Sequence, residues 1–137
     1  MSHARARQAI ELMLAGWADA RPIRIAYGPQ PFEPTAGEMY LRTFLMPAST
    51  TCRYLGGEAY EYRGIYQLSV VSPAGQPLAL AESLLAELAE VFPLDRRLSR
   101  SGFEGVIIEP LDLGPIIISG DTYTLPASFT YQGEADR

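Results

Sequence analysis

The sequence has few of the side chains on which most catalytic and metal sites depend. Its 137 residues include one histidine, His3, and one cysteine, Cys52, and all eleven basic residues are arginine. Zinc sites need several clustered histidine or cysteine ligands, and a Ser-His or Cys-His pair would have to recruit His3. Phosphate-binding loops of the Walker type need a lysine. We therefore expect no catalytic residue, no cofactor and no metal.

Four further absences limit the class of protein. A single cysteine cannot form an internal disulfide, and no apolar run approaches the ~20 residues of a membrane span. The formal net charge of −5 argues against a general nucleic-acid binder, which would carry a basic excess. Glu11 interrupts what would otherwise resemble a signal peptide. The expectation is a soluble intracellular protein that binds neither nucleic acid nor membrane.

The clearest strand and helix of the chain lie in residues 64–92. Apolar and polar side chains alternate along residues 65–71, which is the period of a half-buried strand. After a turn with two prolines, apolar residues recur every three or four positions from Leu80 to Val91. This pattern predicts an amphipathic helix that ends before Pro93.

The other sequence patterns are weaker, and together with this strand and helix they predict an α+β protein. Residues 4–17 place apolar side chains on one helical face and predict an N-terminal helix. Further strands are predicted at residues 23–27, 39–46, 60–71, 105–110 and 122–131, with a polar loop at 95–102 and a turn at 111–114. Pro126 predicts an edge position or a bulge for the last strand. The length fits one domain over residues 1–137, with 1–3 and 132–137 frayed.

A long hairpin is predicted where residues 47–58 join two strands, with its tip at Gly56-Gly57. Such a hairpin extends past the helices, so its outer part suits contact with a partner. Tyrosine and arginine are enriched at protein interfaces. The candidate partner or oligomer contacts are Arg53, Tyr54, Leu55 and Arg63.

Two interpretations are open for Tyr60 and Tyr62. They share the even-numbered register of Tyr66 and Leu68, which favours packing in the core. They also flank the candidate contacts, which would favour a role in binding. Phe32, in a segment with three prolines, has the same two interpretations. Its ring is either buried in the core or exposed for contact with a partner.

Several segments together resemble a known family. They are the N-terminal helix, the proline-rich residues 28–34 leading to 39–42, the strand 64–70, the turn 73–75 and the closing strand 126–131. In these segments the chain resembles a family of phage-related proteins of unknown function, itself similar to the phage lambda tail terminator, the minor tail protein U. The resemblance spans nearly the whole chain.

The resemblance implies an α+β fold in which an N-terminal and a central helix pack on a mixed or largely antiparallel sheet with a long protruding hairpin. It also implies a non-enzymatic phage or prophage structural protein that caps the tail tube as a ring and helps to join the head. Its partners would be the tail tube protein and head-tail connector proteins. Isolated subunits would be monomers and would form the ring on assembly. The protein would be in the bacterial cytoplasm during assembly and then in the virion tail.

The alternative comes from another class of protein. It is a small intracellular enzyme or ligand-binding domain, with a pocket between the sheet and the central helix. Tyrosine hydroxyls would be its polar anchors. A structure can test whether such a pocket with such anchors exists.

Overall fold

The structure, a computed structural model, describes residues 2–52 and 59–136. Within these residues two helices accompany one seven-stranded sheet. The elements are α1 Ser2–Asp19, β1 Ile25–Tyr27, β2 Tyr40–Thr51, β3 Ala59–Pro73, α2 Leu78–Val91, β4 Arg97–Arg100, β5 Phe103–Leu113, β6 Ile117–Ser119 and β7 Thr122–Asp136.

The sheet is antiparallel except at one edge. Its strand order is β1-β2-β3-β7-β5-β4, β6 pairs with β7 beside this path, and only β1 and β2 run parallel. The two central strands, β3 and β7, pair along their full length from Ala59↔Asp136 to Pro73↔Thr122. The predicted α+β fold, with two helices on a largely antiparallel sheet, is confirmed.

Both helices pack on the same face of this sheet. Alternate residues of the central strands point toward them, and Tyr66, Phe129 and Tyr131 are fully buried there. Phe92, just after α2, stacks on Phe129 with ring centroids 5.0 Å apart. Burying one such large apolar side chain contributes about 1.5–3 kcal/mol, so this layer holds the sheet and both helices together.

The predicted fraying of the two ends is wrong for the residues described. Ser2 already belongs to α1, and His3 is buried with 9% of its surface exposed. Residues 132–136 continue β7, where Glu134 pairs with Glu61 of β3 on one side and Glu104 of β5 on the other. A strand paired on both sides has its backbone groups satisfied, and this pairing does not depend on the polarity of its side chains.

The predicted loop at residues 95–102 contains a strand. Residues Arg97–Arg100 form β4, with Leu98 buried, and pair with the start of β5. Ser101 and Gly102 form a two-residue turn, and both have positive φ (45° and 90°), as the tight turns of hairpins require. The predicted turn at residues 111–114 is also strand, because β5 continues to Leu113.

Pro126 lies in an interior strand, so the predicted edge position is wrong. Its carbonyl accepts a hydrogen bond from Gly114 N at 2.8 Å, which shows that its backbone faces the β5 and β6 side of β7. There β5 ends at Leu113, opposite Ala127, and β6 begins at Ile117, opposite Thr124. The N–H that proline lacks therefore falls in the gap between two partner strands.

The β2–β3 hairpin is long, as predicted. Its pairs run from Tyr40↔Val71 to Thr51↔Glu61, with a register shift between Pro47 and Ser49. Residues 47–51 were predicted to be loop and belong to β2. The predicted tip, Gly56-Gly57, lies outside the described residues.

Candidate assembly surface

The predicted contact residues fall into two groups. Arg53, Tyr54 and Leu55 lie outside the described residues, so their role stays a prediction. Arg63 lies on β3, on the sheet face away from the helices, and its Nη2 is 3.1 Å from Oε1 of Glu109. Both side chains are about half exposed, and a surface ion pair of this kind contributes about 0–1 kcal/mol. Because the ion pair contributes so little, Arg63 can exchange Glu109 for a group of a partner with only a small loss of stability.

Tyr62 belongs to the core and not to a contact surface. It is 6% exposed, while Tyr60 is half-buried against the same core. The core interpretation is therefore confirmed for Tyr62. Phe32 also packs inward: its ring lies 4.8 Å from that of Tyr40, above a small second cluster on the far face of the sheet.

An ion pair fixes the segment that carries Phe32. Arg24 donates hydrogen bonds to both carboxylate oxygens of Glu38, at 2.6 and 2.7 Å, and to the carbonyl of Glu33. The guanidinium of Arg24 also lies over the Phe32 ring, 4.6 Å from its centroid. Residues 28–38 thus cover one corner of the face that the helices leave open.

The rest of that face carries exposed apolar side chains. Phe44 and Met46 of β2 are 38% and 42% exposed. They stand opposite Gln67 and Ile65 of β3. Within residues 2–52 and 59–136, both helices lie on the other side of the sheet. We call this region, defined by Phe44, Met46 and Ile65, the outer face.

A second apolar surface lies at β6. Ile116, Ile117 and Ile118 are 45%, 54% and 80% exposed, and among the described strands β6 pairs only with β7. Ile116 and Ile118 line a groove of about 240 Å³ with Leu78 and Tyr123. Exposed edges are usually protected by charges or proline, and none stands within residues 116–119. We call this region the β6 edge. Its exposure could not be predicted from the sequence, because three consecutive apolar residues usually indicate burial.

Comparison with known proteins decides the family. A family model described as phage tail terminator protein matches residues 5–131. The chain belongs to the phage tail terminator family. A solved structure with 33% sequence identity is also similar, with a TM-score of 0.81 over 97% of this chain and 96% of that chain. No curated protein sequence matches the chain.

Among the residues that the structure describes, no three His, Cys, Asp or Glu side chains are grouped so that they could hold a metal ion. No described helix is both long and apolar enough to cross a membrane. The predicted family resemblance is confirmed, and with it a structural role in a phage tail.

Two grooves beside α2 lack the tyrosine anchors of the alternative function. One, between α2 and β5, measures about 190 Å³ and is lined mainly by leucine and alanine, including Leu85 and Leu111. Another, of about 350 Å³, lies between α2 and residues 21–23. Neither groove is lined by a tyrosine. The Tyr123 hydroxyl, in the β6 groove, donates to the carbonyl oxygen of Gln76 or Pro77 at 3.2–3.3 Å, so it is already used within the fold.

Proposed function

We propose that this protein terminates the phage tail. It caps the completed tail tube as a ring of identical subunits, stops further tube polymerisation and offers a surface to the head-tail connector. The observation that carries the proposal is the match of residues 5–131 to the tail terminator family. The role is one of assembly, and it requires no catalytic residue and no cofactor.

The two apolar surfaces support a ring. A head-to-tail ring needs two different contact surfaces on each subunit, and the outer face and the β6 edge are two such surfaces. Each is defined by three residues, whereas a stable interface buries roughly 800 Å² and about 20–30 residues per partner. Isolated subunits are therefore monomers, and repeated weak contacts close the ring on the symmetric tube.

The hairpin carries the contacts with the tail. Arg53, Tyr54 and Leu55 follow the end of β2, and Arg63 lies on the same hairpin beside the outer face. In this proposal they touch the tube protein or the neighbouring subunit. Assembly takes place in the bacterial cytoplasm, and the protein then stays in the virion tail.

Deletion of the gene from its phage or prophage tests the function. Electron microscopy should then show tails of uncontrolled length or tails without heads, and expression of the full chain from a plasmid should restore normal particles. Purified wild-type virions should contain the protein by mass spectrometry. Normal virions from the deletion strain would contradict the proposal.

A further inference from the structure

His3, at the start of α1, contacts three strands. It belongs to the first turn of α1, yet its ring Nδ1 is 2.6 Å from the Tyr131 hydroxyl of β7. Its Nε2 is 3.2 Å from the hydroxyl of Thr50, near the outer end of β2. The ring edge also packs on Tyr62 of β3, with centroids 4.9 Å apart. One imidazole thus joins the start of the helix to the outer part of the β2–β3 hairpin.

The neutral ring satisfies this arrangement completely. A neutral imidazole has one donor and one acceptor nitrogen. In one tautomer Nε2–H donates to the Thr50 hydroxyl while Nδ1 accepts from the Tyr131 hydroxyl, and in the other tautomer the two roles are exchanged. In the protonated ring both nitrogens donate. The Tyr131 hydrogen would then have to turn away from Nδ1 within a residue that is 0% exposed.

No described carboxylate compensates for a charge on this ring. The charged and titratable groups nearest His3 along the packed elements are Arg5 and Arg7 of α1, Tyr60 and Tyr62 of β3, Tyr131 of β7, and Cys52 just after β2. Arg7 is paired with Glu11. Glu61 and Glu134 alternate to the other face of their strands. Burial, the larger effect, lowers the pKa of His3 below its ordinary 6.5, and the Ser49 carbonyl opposes this lowering.

We propose that His3 is a proton-sensitive clasp, whose neutral ring fixes the outer part of the β2–β3 hairpin to α1 and whose protonation releases it. The clasp is a property of the folded chain and does not depend on the function proposed above. If that function holds, the clasp also sets the position of the hairpin that carries residues 53–55.

The pH dependence follows from the direction of the shift. Because the pKa of His3 is lower in the folded chain than in the unfolded chain, the unfolded chain binds more protons between the two values. The contribution of His3 to stability is therefore complete above pH 6.5. It declines as the pH falls through 6.5 toward the lowered value.

The single histidine makes the test direct. In a chain without a histidine tag, the NMR signals of the imidazole report His3 alone. We expect His3 to titrate below pH 6.5. Protection factors of the Thr50 and Tyr62 amides, corrected for intrinsic exchange, should fall as His3 is protonated, while those of α2 stay constant. A pKa at or above 6.5, or hairpin protection that does not follow the titration, would overturn the proposal.

Two variants separate the clasp from general stability. His3→Phe keeps a ring against Tyr62 but cannot titrate, so the hairpin protection should lose its pH dependence. Thr50→Val keeps His3 and Tyr131 together, and it should lower hairpin protection at pH 7.5 relative to α2. If His3→Phe does not fold, Thr50→Val alone tests the proposal. Hairpin protection in Thr50→Val equal to that of the wild type would refute the clasp.

Discussion

At the scale of single residues, Gly64 shows how closely the buried aromatic layer is packed. The ring of Tyr131 passes directly over the Gly64 backbone, and a Cβ added there would lie 2.6 Å from Tyr131 Cζ. No real Cβ tolerates such a distance, so Tyr131 would have to move. Because Tyr131 also contacts His3, the displacement would reach the start of α1.

Gly64→Ala should therefore destabilise the protein by about 1–3 kcal/mol, as overpacking of a core does. Gly16→Ala is the matched control. Gly16 lies in α1, a Cβ there meets nothing within 4 Å, and alanine favours helix by about 0.5–1 kcal/mol. Urea unfolding of the two variants should move the midpoint in opposite directions. Equal midpoints would show that Tyr131 does not pack as described.

The Arg24–Glu38 pair gives the fold a second pH dependence. The hydrogen bonds from Arg24, then that from the Thr35 backbone, lower the pKa of Glu38 to about 2. A carboxylate with a lowered pKa stabilises the fold above its unfolded value of 4.5, and this effect is lost as the pH falls toward 2. Glu38→Gln should thus speed amide exchange in residues 33–38 at pH 7. Near pH 2 the variant and the wild type should be alike; a difference that persists there would exclude this cause.

At the scale of elements, a substitution at the β6 edge should impair assembly without impairing folding. Ile118 is 80% exposed, so Ile118→Glu should change the free energy of unfolding by no more than about 0.5 kcal/mol. The same charge at the β6 edge should prevent apolar contact with a neighbour and yield tails of irregular length. Leu94→Glu, at an exposed leucine outside both apolar surfaces, is the control and should give normal tails. Normal tails with Ile118→Glu would remove the β6 edge from the interface.

Sequence patterns predicted the elements that have a regular period. The alternation of β3 and the leucine repeat of α2 come from one buried and one exposed side, and this asymmetry is visible in the residues. β4 has only Leu98 as a buried residue, so its pattern resembles a loop. Residues 132–136 show no apolar alternation, and pairing with β3 along their length and with β5 as far as Glu134 makes them a strand. Such pairing depends on distant residues that no local pattern contains.

The candidate surface was less predictable than the fold. Of the predicted contacts, Arg63 is the one within the described residues, and it does lie on the exposed face. The exposure of Phe44 and of the three isoleucines was not predicted, because the sequence pattern marks a residue as apolar but does not say which sheet face lacks a helix. That information is a property of the tertiary structure.

At the scale of the whole molecule, the sheet curls around α1. Tyr27 of β1 and Arg100 of β4 come from opposite ends of the strand order, yet they line one groove with Glu11 and Leu12 of α1. Both outermost strands therefore lie against the same helix. Among the described strands, the apolar edge that stays exposed is that of β6, and the outer face is exposed beside it.

The hairpin tip gives the prediction that belongs to the whole assembly. Arg53→Ala combined with Tyr54→Ala should leave thermal unfolding nearly unchanged while reducing incorporation into tails. Matched alanine substitutions at Glu82 and Glu90, exposed side chains of α2 on the opposite side of the sheet, should leave incorporation unchanged. Quantitative immunoblotting of purified particles measures the difference, and full incorporation of the hairpin variant would exclude the tip as a contact.

The place of β7 in the sheet has a consequence for synthesis. The strand that comes last in the order of elements lies between β3 and β5, and it pairs with β3 residues up to 77 positions earlier, as in Ala59↔Asp136. A nascent chain on the ribosome can form the β2–β3 hairpin and α2 early, but the two halves of its sheet have no common strand until β7 emerges. Contacts between such distant residues make folding slow. Subunits competent for assembly therefore arise only after translation of β7 is complete.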